Sequence, residues 1–187
     1  MKRSYFSRSG QSLIEVMVAI TMLTVSFLGI SVLLSRSLAL NRVTANDVTA
    51  AYLASEGIEI TKNLIDHDVY AGLAHKGTGW GTCFAGRGTP DFELDYETTD
   101  CGSLAAYDSS KPLLYDPPTH LYGYEAGVAT IFARDIRVSR NPAWPGDPND
   151  DEITINVLVS WSGLDGAPDR INLEDRFYNW YSTSTPQ

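Results

Sequence analysis

The side chains that could do chemistry in this sequence are few, and most lack the partners that chemistry needs. His67, His75 and His120 occur singly. None belongs to an H-E-x-x-H pair, and no G-x-S-x-G elbow is present, so neither a zinc nor a serine hydrolase is indicated. KGTGWGTCFAGRG (76–88) is glycine-rich, but it lacks G-x-x-x-x-G-K-[ST] and has no strand before a G-x-G-x-x-G. It reads as a glycine-rich connection rather than a phosphate cradle. Asp147, Asp150 and Asp151, beside Asn149 and Glu152, are a weak calcium candidate without EF-hand spacing or its central glycine. A solvated acidic turn is the plainer reading. Arg134, Arg137 and Arg140 would make a small basic patch, but Asp135 and a formal charge of −9 dilute it, so nucleic acid is not an expected partner. Cys83 and Cys101 form either a bridge or two free thiols. With no C-x-x-C and no paired histidine beside them, a metal role is not expected. No enzyme and no cofactor is expected from this inventory.

One carboxylate remains, and its setting is unusual. Glu15 is the only charged residue between Gln11 and Ser35, and twenty uncharged residues follow it from Val16 to Ser35. As a helix that run spans about 30 Å, the thickness of a bilayer's hydrocarbon core. An acid at the centre of such a helix costs about 2.5–3.5 kcal/mol on insertion scales, which marks Glu15 as functional by default. Lys2, Arg3 and Arg8 precede the run with no acid among them. That bias keeps the N-terminus cytoplasmic and sends the rest of the chain across. A cleaved secretory signal is the alternative, with a small-residue site at Ser37-Leu38-Ala39, but the run is long for a signal core. A domain outside the cytoplasm favours a Cys83–Cys101 disulfide over free thiols. The mean hydropathy of −0.14 excludes a multi-pass protein.

The segment SRSG-QSLIEVMVAITMLTVSFLGI resembles the N-terminus of type IV pilin-like proteins. That family carries a short basic leader ending in Gly, and a Glu as fifth residue of the mature chain. Gly10 matches the last leader residue and Glu15 the glutamate; Gln11 stands where the family usually has Phe. The resemblance implies a cytoplasmic leader over 1–10, cut between Gly10 and Gln11 by a prepilin peptidase. It also implies N-methylation of the new terminus, a claim the Gln11 departure weakens. The retained helix is implied to pack against other pilin subunits, with Glu15 paired to a neighbour's N-terminal amine. AAYLASEGIEITKNLID (50–66), with Ala54, Glu56, Gly57, Glu59 and Asn63, is similar to a segment of pilus-modification minor pilins. The implied partners are other subunits, the prepilin peptidase and an inner-membrane assembly platform. The implied location is the inner membrane, single-pass, and then a surface or periplasmic filament. A type II secretion pseudopilin is the alternative within the class. A membrane-anchored or secreted binding domain, adhesin-like, is the alternative outside it.

These residues need elements to hold them. From Arg36 to Asp68 there is no proline and one glycine. Leu40, Val43, Val48, Ala51, Ala54, Ile58 and Ile65 recur near helical spacing and predict an amphipathic second half over 36–68. With the anchor over 11–35 this makes one helix of roughly 55 residues, about 80 Å long. Strands are expected in DFELDYET (91–98), VATIFARDIRVS (128–139), EITINVLVSW (152–161) and RINLEDRFYNWY (170–181). Residues 103–125 and 141–151 read as loops, and Gly163, Asp165 and Gly166 as a turn. The expected fold is α+β: a long N-terminal helix packed on an antiparallel sheet of about four strands within a β-rich region over 69–187.

Overall fold

The computed structural model describes residues 11–74, 80–84, 87, 90–142, 151–163 and 166–178. The chain divides into two compact units, Met1–Ala45 and Asn46–Gln187. A single helix, α1 (Gln11–Ala74), is shared between them, and the strands all belong to the second. They are β1 (Asp91–Glu93), β2 (Ala105–Ala106), β3 (Leu114–Asp116), β4 (Leu121–Gly123), β5 (Val128–Ala129), β6 (Ala133–Pro142), β7 (Asp151–Ser162) and β8 (Pro168–Tyr178). A five-stranded sheet has the order β2-β1-β6-β7-β8 and a smaller one the order β4-β3-β5. Every pairing is antiparallel. The architecture is the expected α+β, a long helix packed on an antiparallel sheet, with more strands than the pattern suggested.

β7 is the strand the sequence shows most clearly. Ile153, Ile155, Val157, Val159 and Trp161 all face inward and are buried, as their alternation predicts. β6 contributes Arg134, Ile136 and Val138 to the same face. The helix lays Ala50, Leu53, Ala54, Gly57, Thr61, Leu64, Ile65 and Asp68 against this core. Their spacing alternates between three and four residues, the signature of one helix face.

The predicted stripe was partly wrong. Ala54 and Ile65 lie on it and Ile58 borders it, but Val48 and Ala51 are exposed, and Leu40 and Val43 belong to the other unit. Apolar character misled because the buried face includes small and polar residues. Gly57 brings the helix close to the sheet: a Cβ there would lie 3.0 Å from Val157 Cγ1, 3.2 Å from Ile136 Cδ1 and 3.3 Å from Arg134 Cδ. Thr61 returns its hydroxyl to Gly57 O at 2.7 Å and so enters the core satisfied.

Three strand expectations also change. The strand over 91–98 stops at Glu93, and Glu93 and Asp95, expected in solvent, are buried. Backbone donors come to them: Asp108 N donates to Glu93 at 2.9 Å, and Glu97 N and Tyr124 N donate to Asp95 at 3.1 and 3.0 Å. The strand over 128–139 is two strands, because the chain leaves the small sheet at β5 and joins the large one at β6. Leu113 and Phe132 bond across that step, N to O, at 2.8 Å. The stretch 103–125, expected as loop, holds β2, β3 and β4. β8 is exposed along most of its length because it is the sheet's edge.

Gly57→Ala gains up to about 1 kcal/mol in helix propensity. It also pushes a methyl against three neighbours at once, a crowding that typically costs about 1–3 kcal/mol. The variant is expected to be less stable than wild type in a denaturant melt, against what propensity alone predicts.

Candidate functional site: an apolar helix surface and a buried arginine

In the first unit no described side chain from Ser12 to Ala45 is buried. Leu23 and Leu33 are each 70% exposed, and Met17, Ile20, Met22, Phe27 and Ile30 are similar. A large apolar side chain gains about 1.5–3 kcal/mol on leaving water, so a helix bearing many of them must be covered. Its hydroxyls are already satisfied within the helix. Thr21 donates to Val18 O, Ser26 to Met22 O, Ser31 to Phe27 O and Ser35 to Ser31 O, at 2.8 to 2.9 Å. Such back-bonding leaves little polar surface to desolvate, as a lipid or filament interior requires. By length and composition this helix can cross a membrane. Glu15 is exposed on it near its start. Gly10 lies outside the described residues, and Gln11 is the first described residue of α1.

In the second unit the central polar group is Arg134, wholly buried. Alternation along β6 places it on the inner face between Phe132 and Ile136. Its guanidinium donates to Leu53 O on the helix at 3.1 Å and to Leu94 O at 2.6 Å. Glu56, about one third exposed, lies 3.5 Å away and supplies the counter-charge. Tyr124 donates to Arg134 O at 3.0 Å, and burial pushes its phenol up to about 12, partly offset by the Arg134 charge, so it remains a neutral donor. Arg134 is therefore no part of a basic patch. Arg137 is held by Asp91 through two hydrogen bonds, at 2.6 and 3.1 Å. Arg140 lines a small hollow with Gly81 and Ile153.

The structure joins Cys83 to Cys101, with Cα atoms 5.0 Å apart and a sequence separation of 18. The bridge ties the short 3-10 turns at 82–84 and 101–103, and Asp100 caps the second through Gly102 N and Ser103 N. Arg87 donates to Cys83 O at 2.8 Å and also to Cys101 O. Asp68, which the sequence reading did not single out, accepts from Cys83 N at 3.1 Å. Of the weak calcium candidate, Asp147 and Asp150 lie outside the described residues, and of Asp151 only the backbone, in β7, is described. His75 also lies outside them. His67 is exposed on the helix, and His120 Nδ1 sits 2.7 Å from the Tyr115 hydroxyl. Comparison with protein-family models, curated proteins and solved structures returned no match.

Arg134→Met should destabilise the second unit strongly, because the Leu94 carbonyl is left buried without its donor, at about 1–3 kcal/mol, and Glu56 loses its counter-charge. Glu56→Gln should cost less, since Glu56 is partly in water; denaturant melts of both variants check the order. A second prediction concerns Asp135, whose Oδ1 is buried without a hydrogen-bond partner. Burial, and then the Asp91 charge, raise its pKa above the ordinary carboxylate value, with Arg137 opposing. The folded state thus holds this proton more tightly than the unfolded chain, so wild type gains stability as pH falls through the folded pKa. Asp135→Asn should therefore melt higher than wild type at pH 7. The gap should close as pH drops below about 3.9, the unfolded value.

Proposed function

We propose that this chain is a pilin-type filament subunit of the minor-pilin class, with no catalytic role. Residues 1–10 form a cytoplasmic leader that a prepilin peptidase removes between Gly10 and Gln11. The apolar helix then anchors the subunit in the inner membrane with the sheet unit outside the cytoplasm. An assembly platform draws it into a type IV pilus or related filament, where neighbouring subunits replace lipid around the helix. The observation that carries the reading is one carboxylate, Glu15, five residues past Gly10, at the head of a wholly unburied apolar helix. The helix that leads on into a disulfide-clamped sheet domain supports it.

In this reading Glu15 works through desolvation. Its charge is costly in lipid and needs a partner in a dry filament core, which a neighbour's freed N-terminal amine supplies. An exposed ion pair contributes only about 0–1 kcal/mol, so the pairing gains its weight from exclusion of water.

The test begins with the N-terminal mass of the membrane-bound protein. A chain starting at Gln11 is expected, and Gly10→Val should accumulate uncut, about 1 kDa heavier by the mean residue mass. A start near Leu40 would mark a secreted domain instead. Glu15→Ala should be cut and inserted normally, yet be depleted from sheared filaments. Wild-type content of the variant in filaments would remove the role given to Glu15.

A further inference from the structure

The disulfide has a third group beside it that the filament reading does not use. The Asp68 carboxylate and the sulfurs of Cys83 and Cys101 supply ligand atoms that all lie within 4.8 Å of one another. Asp68 and Cys83 are both buried, and Cys101 is half-buried. Their placement does not depend on the sulfur–sulfur bond alone. Asp68 holds Cys83 through its backbone N–H, and Arg87 bonds the carbonyls of both cysteines. Breaking the bridge would leave two thiols and a carboxylate facing one another in a space largely closed to water.

We propose that the clamp has a second closed form: when the disulfide is reduced, Cys83, Cys101 and Asp68 bind one thiophilic divalent cation of the zinc type. Two sulfurs and one carboxylate oxygen are a donor set suited to zinc or cadmium rather than calcium. Bonds of about 2.3 Å to sulfur and 2.0–2.2 Å to oxygen place tetrahedral ligands roughly 3.3–3.8 Å apart. The sulfurs must therefore separate to about 3.8 Å and the carboxylate oxygen close by about 1 Å, within reach of side-chain rotation. The fourth position falls to a water on the side of half-buried Cys101.

The chemistry balances. A dithiol reductant gives two electrons and two protons, becomes its own disulfide, and leaves Cys83 and Cys101 as thiols. The incoming cation displaces both thiol protons to solvent and takes the Asp68 carboxylate as its third ligand. Two thiolates and a carboxylate carry −3, and the cation brings the site to −1. Affinity should rise with pH, because binding releases protons. The two forms serve one purpose, holding the turns at 82–84 and 101–103 together beside Asp68 whether or not the bridge has been oxidised.

The experiment uses the full-length chain in detergent, reduced with a dithiol, freed of reductant without oxygen, and titrated with Zn²⁺ and Cd²⁺. Reduced protein is expected to bind one cation per chain, give a thiolate-to-cadmium charge-transfer absorbance, and melt higher with Zn²⁺ than without. The oxidised protein should do none of these. Asp68→Asn keeps an acceptor for Cys83 N–H, and the melt of its oxidised form is the baseline against which its reduced form is read. Its affinity for the cation should fall at least about tenfold, since removing a ligand costs no less than removing a ligand's own support. Cys83→Ser should abolish tight binding. The proposal is overturned if reduced wild type binds no better than oxidised, or if Asp68→Asn binds as wild type does. It is equally overturned if reduction unfolds the sheet unit and Zn²⁺ does not restore it.

Discussion

A guanidinium cut off from water is the constraint around which the second unit is arranged. Arg134 sits on the core face of β6, where a charge needs partners. Two of its nitrogens donate to the carbonyls of Leu53 and Leu94 and the Glu56 carboxylate lies 3.5 Å away, while Nε–H has no hydrogen-bond partner among the described residues. Those groups come from the helix and from the segment after β1, so satisfying one side chain sets two elements in register with β6. Gly57 makes the approach possible, since any Cβ there would press on Arg134, Ile136 and Val157 together. Replacing a buried ionic group with well-packed apolar residues is often neutral for stability. Removing Arg134 alone is a different case, because its acceptors stay buried without their donor.

The same logic runs through the loops. Glu93 and Asp95 are buried acids that draw in backbone N–H groups from Asp108, Glu97 and Tyr124. Short, irregular segments have few ladder bonds, so side-chain acceptors take over the work of fixing them. The Cys83–Cys101 bridge does so covalently for the turns at 82–84 and 101–103.

The first unit obeys the opposite rule. Its side chains bury nothing within the unit, and its hydroxyls turn back on their own helix. A sequence can hold such a surface only if something other than water will cover it. Lipid and a neighbouring apolar helix are equivalent in this respect. In the proposed reading one segment serves as anchor and as assembly surface, with Glu15 as the group that tells the two environments apart.

Some of this was legible in the residues alone. The apolar run, the isolation of Glu15, the helix without proline and the β7 alternation all follow from composition and period, because each is a local property of the chain; the cysteine bridge was favoured only through the expected compartment. The inward Arg134 was half legible, since Phe132, Ile136 and Val138 alternate around it. It was read as surface because charge is usually outside. The helix face was misplaced because Ala50, Gly57 and Thr61 carry no hydrophobic signal, and they are buried only because the sheet approaches closely there. Buried Glu93 and Asp95, the division of 128–139 between two sheets, and the seat of Asp68 against the cysteines could not be read locally. Each depends on donors and neighbours from distant parts of the chain, and burial of a polar group is decided by whether those arrive. The sequence by itself determined what must leave water; the tertiary structure decided which polar groups could go with it.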